Sequence, residues 1–316
     1  MCPETITVRA PAKINLFLEV LSKRPDGYHE VRSIIVPISI FDVLSFRRSR
    51  GVIETTVKCT GIPVFAPQRL PTSESNLATR AAQALKKATG YRGGAHIHIR
   101  KGIPIAGGLG GGSADAAATL KGLNRLWRTG LSAEDLIMIG RNLGSDVPAM
   151  VHCGLVFIHG MGDRVEPVST AGSPVRSDWW VVVANPGFGV STRDICTRYR
   201  TALTSSPGQL KRMFSAVANW DRQAAARGLF NSLEGTVFSK YPLLEIIRDG
   251  LRSAGAGGVL LSGSGASVFG FADNEAHARR IEKDIGRATG PWLWTKIAKV
   301  LPDGVTVAHG PLEARV

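Results

Sequence analysis

Two kinds of segment in this chain could do chemistry together. Residues 104–114 read Pro-Ile-Ala-Gly-Gly-Leu-Gly-Gly-Gly-Ser-Ala, with five glycines around Leu109 and an alanine-rich run directly after. Glycines let backbone amides come close to a ligand and tolerate positive φ, and the unpaired amides and dipole at a helix start favour an anion. Pro104, Ile105, Ala106, Gly107, Gly108, Leu109, Gly110, Gly111, Gly112, Ser113 and Ala114 are therefore the candidate nucleotide-binding stretch. A flexible link is the alternative, and the helix that follows at once argues against it. The chain has no G-x-x-x-x-G-K-[ST] P-loop, no G-x-G-x-x-G in a βαβ setting and no protein-kinase signature, so this would be a phosphate cradle without a Walker lysine. The second kind supplies charge: Lys13 in Pro-Ala-Lys-Ile-Asn-Leu-Phe-Leu, and Asp146 in Gly-Ser-Asp-Val-Pro. Chemistry on a bound phosphate would call for charge stabilisation beside the cradle. A lysine beside an aspartate would hold that carboxylate ionised. On spacing alone, however, Asp146 reads better as a helix N-cap, and Lys13 as a solvated strand lysine.

The elements that must position these groups are visible as periodicities. Residues 95–99 alternate, with Ile97 and Ile99 on one face and His96 and His98 on the other, which predicts a strand feeding the glycine turn. Ala116, Leu120, Leu123 and Trp127 recur at helical spacing, so a helix begins between 111 and 113. Leu16, Leu18 and Val20 mark one face of a core strand, leaving Lys13 and Asn15 on the opposite face. Other strands are expected at 5–9, 13–21, 34–37, 43–47 and 181–184, with helices near 76–88, 146–151, 209–226 and 243–253. A strand, glycine turn and strand follow over 258–272. Asp115 is read as a carboxylate stabilising the helix dipole. His96 and His98 have no third ligand in reach, so an exposed strand face is the stronger reading.

At 316 residues and 44% hydrophobic content the chain can bury a full core in one large or two moderate domains. The formal charge of +14 invites a nucleic-acid reading, but the basic residues are scattered, with no basic arm and no interleaved aromatics. A general positive field would help gather anionic nucleotides. Cys2, Cys59, Cys153 and Cys196 lie far apart, which suggests reduced thiols rather than a zinc site or redox pair. No leader pattern and no apolar run of roughly 20 residues is present. The expectation is a cytoplasmic enzyme with a small-molecule substrate, no nucleic-acid partner and no membrane partner.

The glycine loop resembles the second motif of the GHMP kinases. Two further segments fit: Ala-Pro-Ala-Lys-Ile-Asn-Leu-Phe-Leu (10–18) with Arg-Pro-Asp-Gly-Tyr-His (24–29), and Leu-Ser-Gly-Ser-Gly-Ala-Ser-Val-Phe (261–269), similar to the third glycine-rich motif. The resemblance runs from residue 8 to beyond 269. It implies a two-lobed α+β fold, divided into residues 1–154 and 155–316, with nucleotide and acceptor sites in the cleft between lobes. It also implies ATP and Mg2+ as cofactors, and Lys13 with Asp146 as the catalytic pair. Asn15, Tyr28, His29 and Thr192 would bind the acceptor, and Ser113 could reach the metal or a phosphate. Gly263 and Gly265 would permit close approach of strands and substrate. The combination with Gly-Ser-Asp-Val-Pro (144–148) is narrower, and is similar to the branch that phosphorylates a cytidine-diphosphate-linked methylerythritol. In that branch an aromatic residue follows a P-G-x-x-x-[ST] segment; here residues 186–192 lead instead to Cys196, with Tyr199 one turn further on.

Overall fold

The computed structural model describes residues 4–23, 29–62, 75–170, 178–199, 204–302 and 308–309. Its first half holds β1 (Thr5–Lys23), β2 (His29–Ser49), β3 (Ile53–Cys59), α1 (Leu77–Thr89), β4 (Gly94–Lys101), α2 (Gly111–Trp127), α3 (Ala133–Arg141) and α4 (Val147–His152). The chain continues with β5 (Val156–Gly160), β6 (Arg164–Pro167), β7 (Trp180–Asn185), α5 (Thr192–Arg198), α6 (Gln209–Ala218), α7 (Arg222–Gly228), β8 (Phe230–Asn231), α8 (Glu234–Lys240) and α9 (Pro242–Ser253). It closes with β9 (Gly257–Leu261), β10 (Val268–Ala272), α10 (Glu275–Thr289), β11 (Trp294–Lys299) and β12 (Ala308–His309). One sheet runs β12-β1-β2-β4-β3, with β5 added to β2, β6 to β5 and β8 to β1; the other runs β11-β7-β10-β9. This is a mixed α/β architecture on two sheets. Strands β5, β6 and β8 pair into the sheet that the first strands build.

The strands expected at 5–9 and 13–21 are one long strand, and so are those at 34–37 and 43–47. The paired strands continue through register shifts, between Pro11/Ala12 and between Asn15/Phe17, which accommodate local irregularity without ending the ribbon. The helix expected over 209–226 is two: Trp220 turns to φ 52°, and the Asp221 side chain restarts the helix by accepting from the Ala224 amide at 2.9 Å. Asn76 caps α1 in the same manner, its Oδ1 accepting from the Ala78 amide.

Helices α1 and α2 cover one face of the large sheet. There Leu44, Phe46, Ile97 and Ile99 pack with Ala78, Leu85, Leu120 and Leu123. Burying each large apolar side chain contributes about 1.5–3 kcal/mol, so this contact fixes where α2 begins relative to β1. A second cluster, with Ile14, Phe17, Val183 and Phe269, ties β1 to the small sheet. Among the described residues no helix is long and apolar enough to cross a membrane.

Candidate active site

Lys13 is a strand residue, yet it is 4% exposed and not solvated. Its ammonium donates to Asn15 Oδ1 at 2.7 Å and lies 3.7 Å from Asp146 Oδ2. Asn15 is oriented in turn, its Nδ2 donating to Ser33 Oγ at 2.9 Å, and Ser33 Oγ donates to the Phe17 carbonyl. Asp146 stands at the N-cap position of α4, as its spacing suggested, but its side chain makes no capping hydrogen bond. Pro148 in the first turn lacks an amide to be satisfied. The carboxylate is free to face Lys13 while 37% exposed.

The glycine loop packs onto this pair. The Lys13 amide donates to the Leu109 carbonyl, anchoring the loop to β1. Gly110 precedes α2 at φ 69°, and a Cβ there would lie 2.9 Å from Lys13 Cγ. Gly108, at φ 77°, passes so close to the 262–267 turn that a Cβ would overlap the Ser262 carbonyl oxygen. No side chain caps the start of α2, so its first amides remain available to an anion. A Cβ on Gly112 would meet only Leu77 Cδ1, at 3.4 Å, so the loop is open on that side. This is a cradle that fits nucleotide phosphates. Ser113 is half-buried within the first turn of α2, Ala114 is buried, and Pro104, Ile105, Ala106 and Gly107 form the approach. Among the described residues no group of three or more His, Cys, Asp or Glu could hold a metal.

Several residues that the sequence did not single out hold the loop. Ser262 Oγ donates to the Gly108 carbonyl at 3.0 Å, and the Ser267 amide donates to the Gly107 carbonyl at 2.9 Å. Asn185, which ends β7, donates to Ser267 Oγ and accepts from the Gly187 amide. Asp115 does not serve the helix dipole as expected. It is buried and accepts from Lys101 Nζ at 2.8 Å, while the same ammonium pairs with Asp42. Asp42 Oδ1 also accepts the amides of Gly102 and Ile103, at 2.7 and 3.0 Å, just before the loop. Burial pushes the Asp115 carboxyl above its ordinary range, opposed by Lys101. Burial would lower the Lys101 ammonium, but the two carboxylates outweigh it and hold it above its ordinary value. The only sequence signal for this triad was a charged residue at the end of an otherwise alternating strand. Lys101→Met should therefore cost about 3–5 kcal/mol of stability by leaving two buried carboxylates facing each other. Urea unfolding measures this, and an unchanged midpoint would contradict the burial of the triad.

The proposed acceptor residues divide. Thr192 opens α5, and its Oγ1 lies 2.8 Å from Ser264 Oγ, on the turn that touches Gly108. His29, at the start of β2, meets the Tyr199 ring edge-on with centroids 6.0 Å apart. Tyr199 ends α5, roughly 10 Å along the axis from Thr192 at ~1.5 Å per residue. Cys196 lies between them on the same helix, half-buried, with its thiol pushed up by burial. Tyr28 lies outside the described residues. His96 and His98 sit on an exposed sheet face, paired with Glu54 and Thr56.

Two family models match: GHMP kinases N terminal domain over residues 76–154, and GHMP kinases C terminal over 213–291. The 4-diphosphocytidyl-2-C-methyl-D-erythritol kinase of Brevibacillus brevis is 41% identical over 277 residues, 87% of this chain and 90% of that protein. That of Geobacillus thermodenitrificans is 40% identical over 276 residues, covering 87% and 91%. A crystal structure of 4-(cytidine 5'-diphospho)-2C-methyl-D-erythritol kinase matches with a TM-score of 0.73 and 32% identity over 93% of this chain and 99% of that one. The homoserine kinase of Cytophaga hutchinsonii superposes with a TM-score of 0.77 at 19% identity, over 98% of each chain. The fold is thus shared across kinases with different acceptors, and sequence identity separates the branches. The chain belongs to the GHMP kinases and, within them, to the family of 4-diphosphocytidyl-2-C-methyl-D-erythritol kinases.

Proposed function

We propose that this chain transfers the γ-phosphoryl group of ATP to the tertiary 2-hydroxyl of 4-diphosphocytidyl-2-C-methyl-D-erythritol, a step of non-mevalonate isoprenoid precursor synthesis. The observation that carries this reading is the arrangement along α5. Lys13 and Asp146 lie beside an uncapped helix start; Thr192, at the start of α5, meets Ser264 on the turn packed against the phosphate loop, and Tyr199, at the far end of α5, meets His29. That separation suits an elongated acceptor whose reactive hydroxyl and recognition group are joined by a diphosphate. In the same reading residues 1–154 and 155–316 form the two lobes.

Each residue then has a task. Asp146 receives the proton of the acceptor hydroxyl as the oxygen attacks phosphorus. Lys13, 3.7 Å from that carboxylate, orients it and offsets charge on the transferred group, and Asn15 fixes the direction of the ammonium. The amides of residues 110–113 would hold the phosphates, and Ser113 would offer its hydroxyl to a magnesium ion or a phosphate. Bound there, ATP would supply the phosphoryl group and Mg2+ would screen its charge. Tyr28 and His29 bind the cytosine, and Thr192, through Ser264, sets the acceptor against the turn. The positive net charge favours encounter with a nucleotide and a diphosphate at low salt.

The test is a coupled assay with the purified chain, ATP, Mg2+ and a panel of acceptors: the cytidine-diphosphate-linked methylerythritol, its base-free phosphate, homoserine and mevalonate. Turnover with the first and a loss on the order of a hundredfold or more in kcat/KM with the others is expected, because remote binding energy positions the hydroxyl. Equal use of the base-free compound would refute the cytidine reading.

A further inference from the structure

The geometry points to Asn231 as a positioning residue for phosphoryl transfer, acting through the third glycine-rich turn; we propose this on the active site described above. Asn231 is 3% exposed and lies on β8, which pairs in parallel with β1 at Phe17 and Leu18. Both hydrogens of its amide are spent on the turn: Nδ2 donates to the Leu261 carbonyl at 2.8 Å and to the Gly263 carbonyl at 2.7 Å. Its Oδ1 accepts from the Leu233 amide, which fixes the amide's orientation, and Glu234 Oε1 accepts from the Leu261 amide at 2.9 Å. Residues Asn231 and Glu234 therefore grip both sides of one peptide segment.

That segment touches the catalytic lysine's ammonium, the phosphate loop and the start of α5. A Cβ on Gly263 would lie 3.3 Å from Lys13 Nζ and 3.4 Å from Asn15 Oδ1. Ser262 Oγ donates to the Gly108 carbonyl of the phosphate loop, and Ser264 Oγ meets Thr192 Oγ1. Strand β1 carries Lys13 and, a few residues on, the β8 pairing that carries Asn231. One strand thus sets both the ammonium and the turn that packs on it, and Asn231 transmits the register. Only a neutral side-chain amide of this length can offer two donors to two carbonyls while accepting a third bond. An aspartate would aim an acceptor at both carbonyls. A displacement of about 1 Å at a reacting centre can cost up to a hundredfold in rate.

The experiment compares Asn231→Asp and Glu234→Ala with Ser232→Ala. Ser232 bonds the Val20 amide and the Leu18 carbonyl in the same segment but makes no bond to the turn. Amide hydrogen exchange on the nucleotide-free protein should show the Gly265 amide, which donates to the Ser262 carbonyl, exchanging roughly tenfold or more faster in the first two variants and unchanged in Ser232→Ala. With ATP and the cytidine-linked acceptor, kcat should fall roughly tenfold or more in Asn231→Asp with KM for ATP nearly constant, while Ser232→Ala lowers Tm and keeps kcat. Should Asn231→Asp not fold, Glu234→Ala carries both comparisons. Unchanged exchange at Gly265, or equal kcat losses in the turn variants and Ser232→Ala, overturns the proposal. Wild-type inactivity on the acceptor would refute the proposed substrate instead, and the exchange result still decides whether Asn231 holds the turn.

Discussion

Asp146→Asn is expected to lower kcat by on the order of a hundredfold or more while leaving ATP affinity nearly unchanged, as for loss of a positioned proton acceptor. The geometry makes the change clean. The Asp146 side chain gives no hydrogen bond to its own helix, so its replacement removes no cap and α4 should persist. What is lost is the charge 3.7 Å from the Lys13 ammonium and the site that receives the hydroxyl proton. Lys13 retains Asn15 at 2.7 Å, so the ammonium keeps its place while its acidic partner becomes neutral. Steady-state kinetics with nucleotide calorimetry separates the two effects. Near-wild-type turnover would remove Asp146 from the reaction, and a matching loss of ATP affinity would show that the substitution disturbs the cradle.

Gly110→Val should abolish measurable ATP binding, a loss on the order of a hundredfold or more in affinity. Two independent costs meet at this position. A β-branched residue at φ 69° is strained by roughly 1–3 kcal/mol. Its Cβ would also press on the Lys13 stem, 2.9 Å from Cγ and 3.2 Å from Cε. The stem is buried, so it cannot swing into solvent, and relief must come from moving the loop or the ammonium. Turnover should therefore fall even at saturating nucleotide, unlike a change that weakens binding alone. Calorimetry showing equal affinity for wild type and variant would place the phosphates elsewhere.

Patterns with short range were legible in the sequence. The alternation around Ile97 and Ile99 and the period of Ala116, Leu120, Leu123 and Trp127 placed a strand, a glycine turn and a helix start to within a residue or two, because period and backbone freedom are local properties. The alternation in β1 likewise put Lys13 and Asn15 on one face, and the structure joins them by a hydrogen bond. Where a local signal had two meanings, only tertiary structure chose. Asp146 holds an N-cap position yet turns its carboxylate to a lysine 133 residues earlier in the chain, a choice set by the packing of α4 against α2, which itself lies on β1. Asp115 looked like a first-turn carboxylate serving the helix dipole, but Lys101 and Asp42 reach it through the sheet, and a buried ammonium outweighs a helix dipole. The strands expected at 5–9 and 13–21, and at 34–37 and 43–47, are instead two long strands that pair along their length, with a register shift between Pro11 and Ala12. Asn231 carried no signal at all, since its meaning lies in two carbonyls some thirty residues downstream. Sequence periodicity fixes what each segment can form; which side chains meet across the site depends on register and packing between segments far apart in the chain.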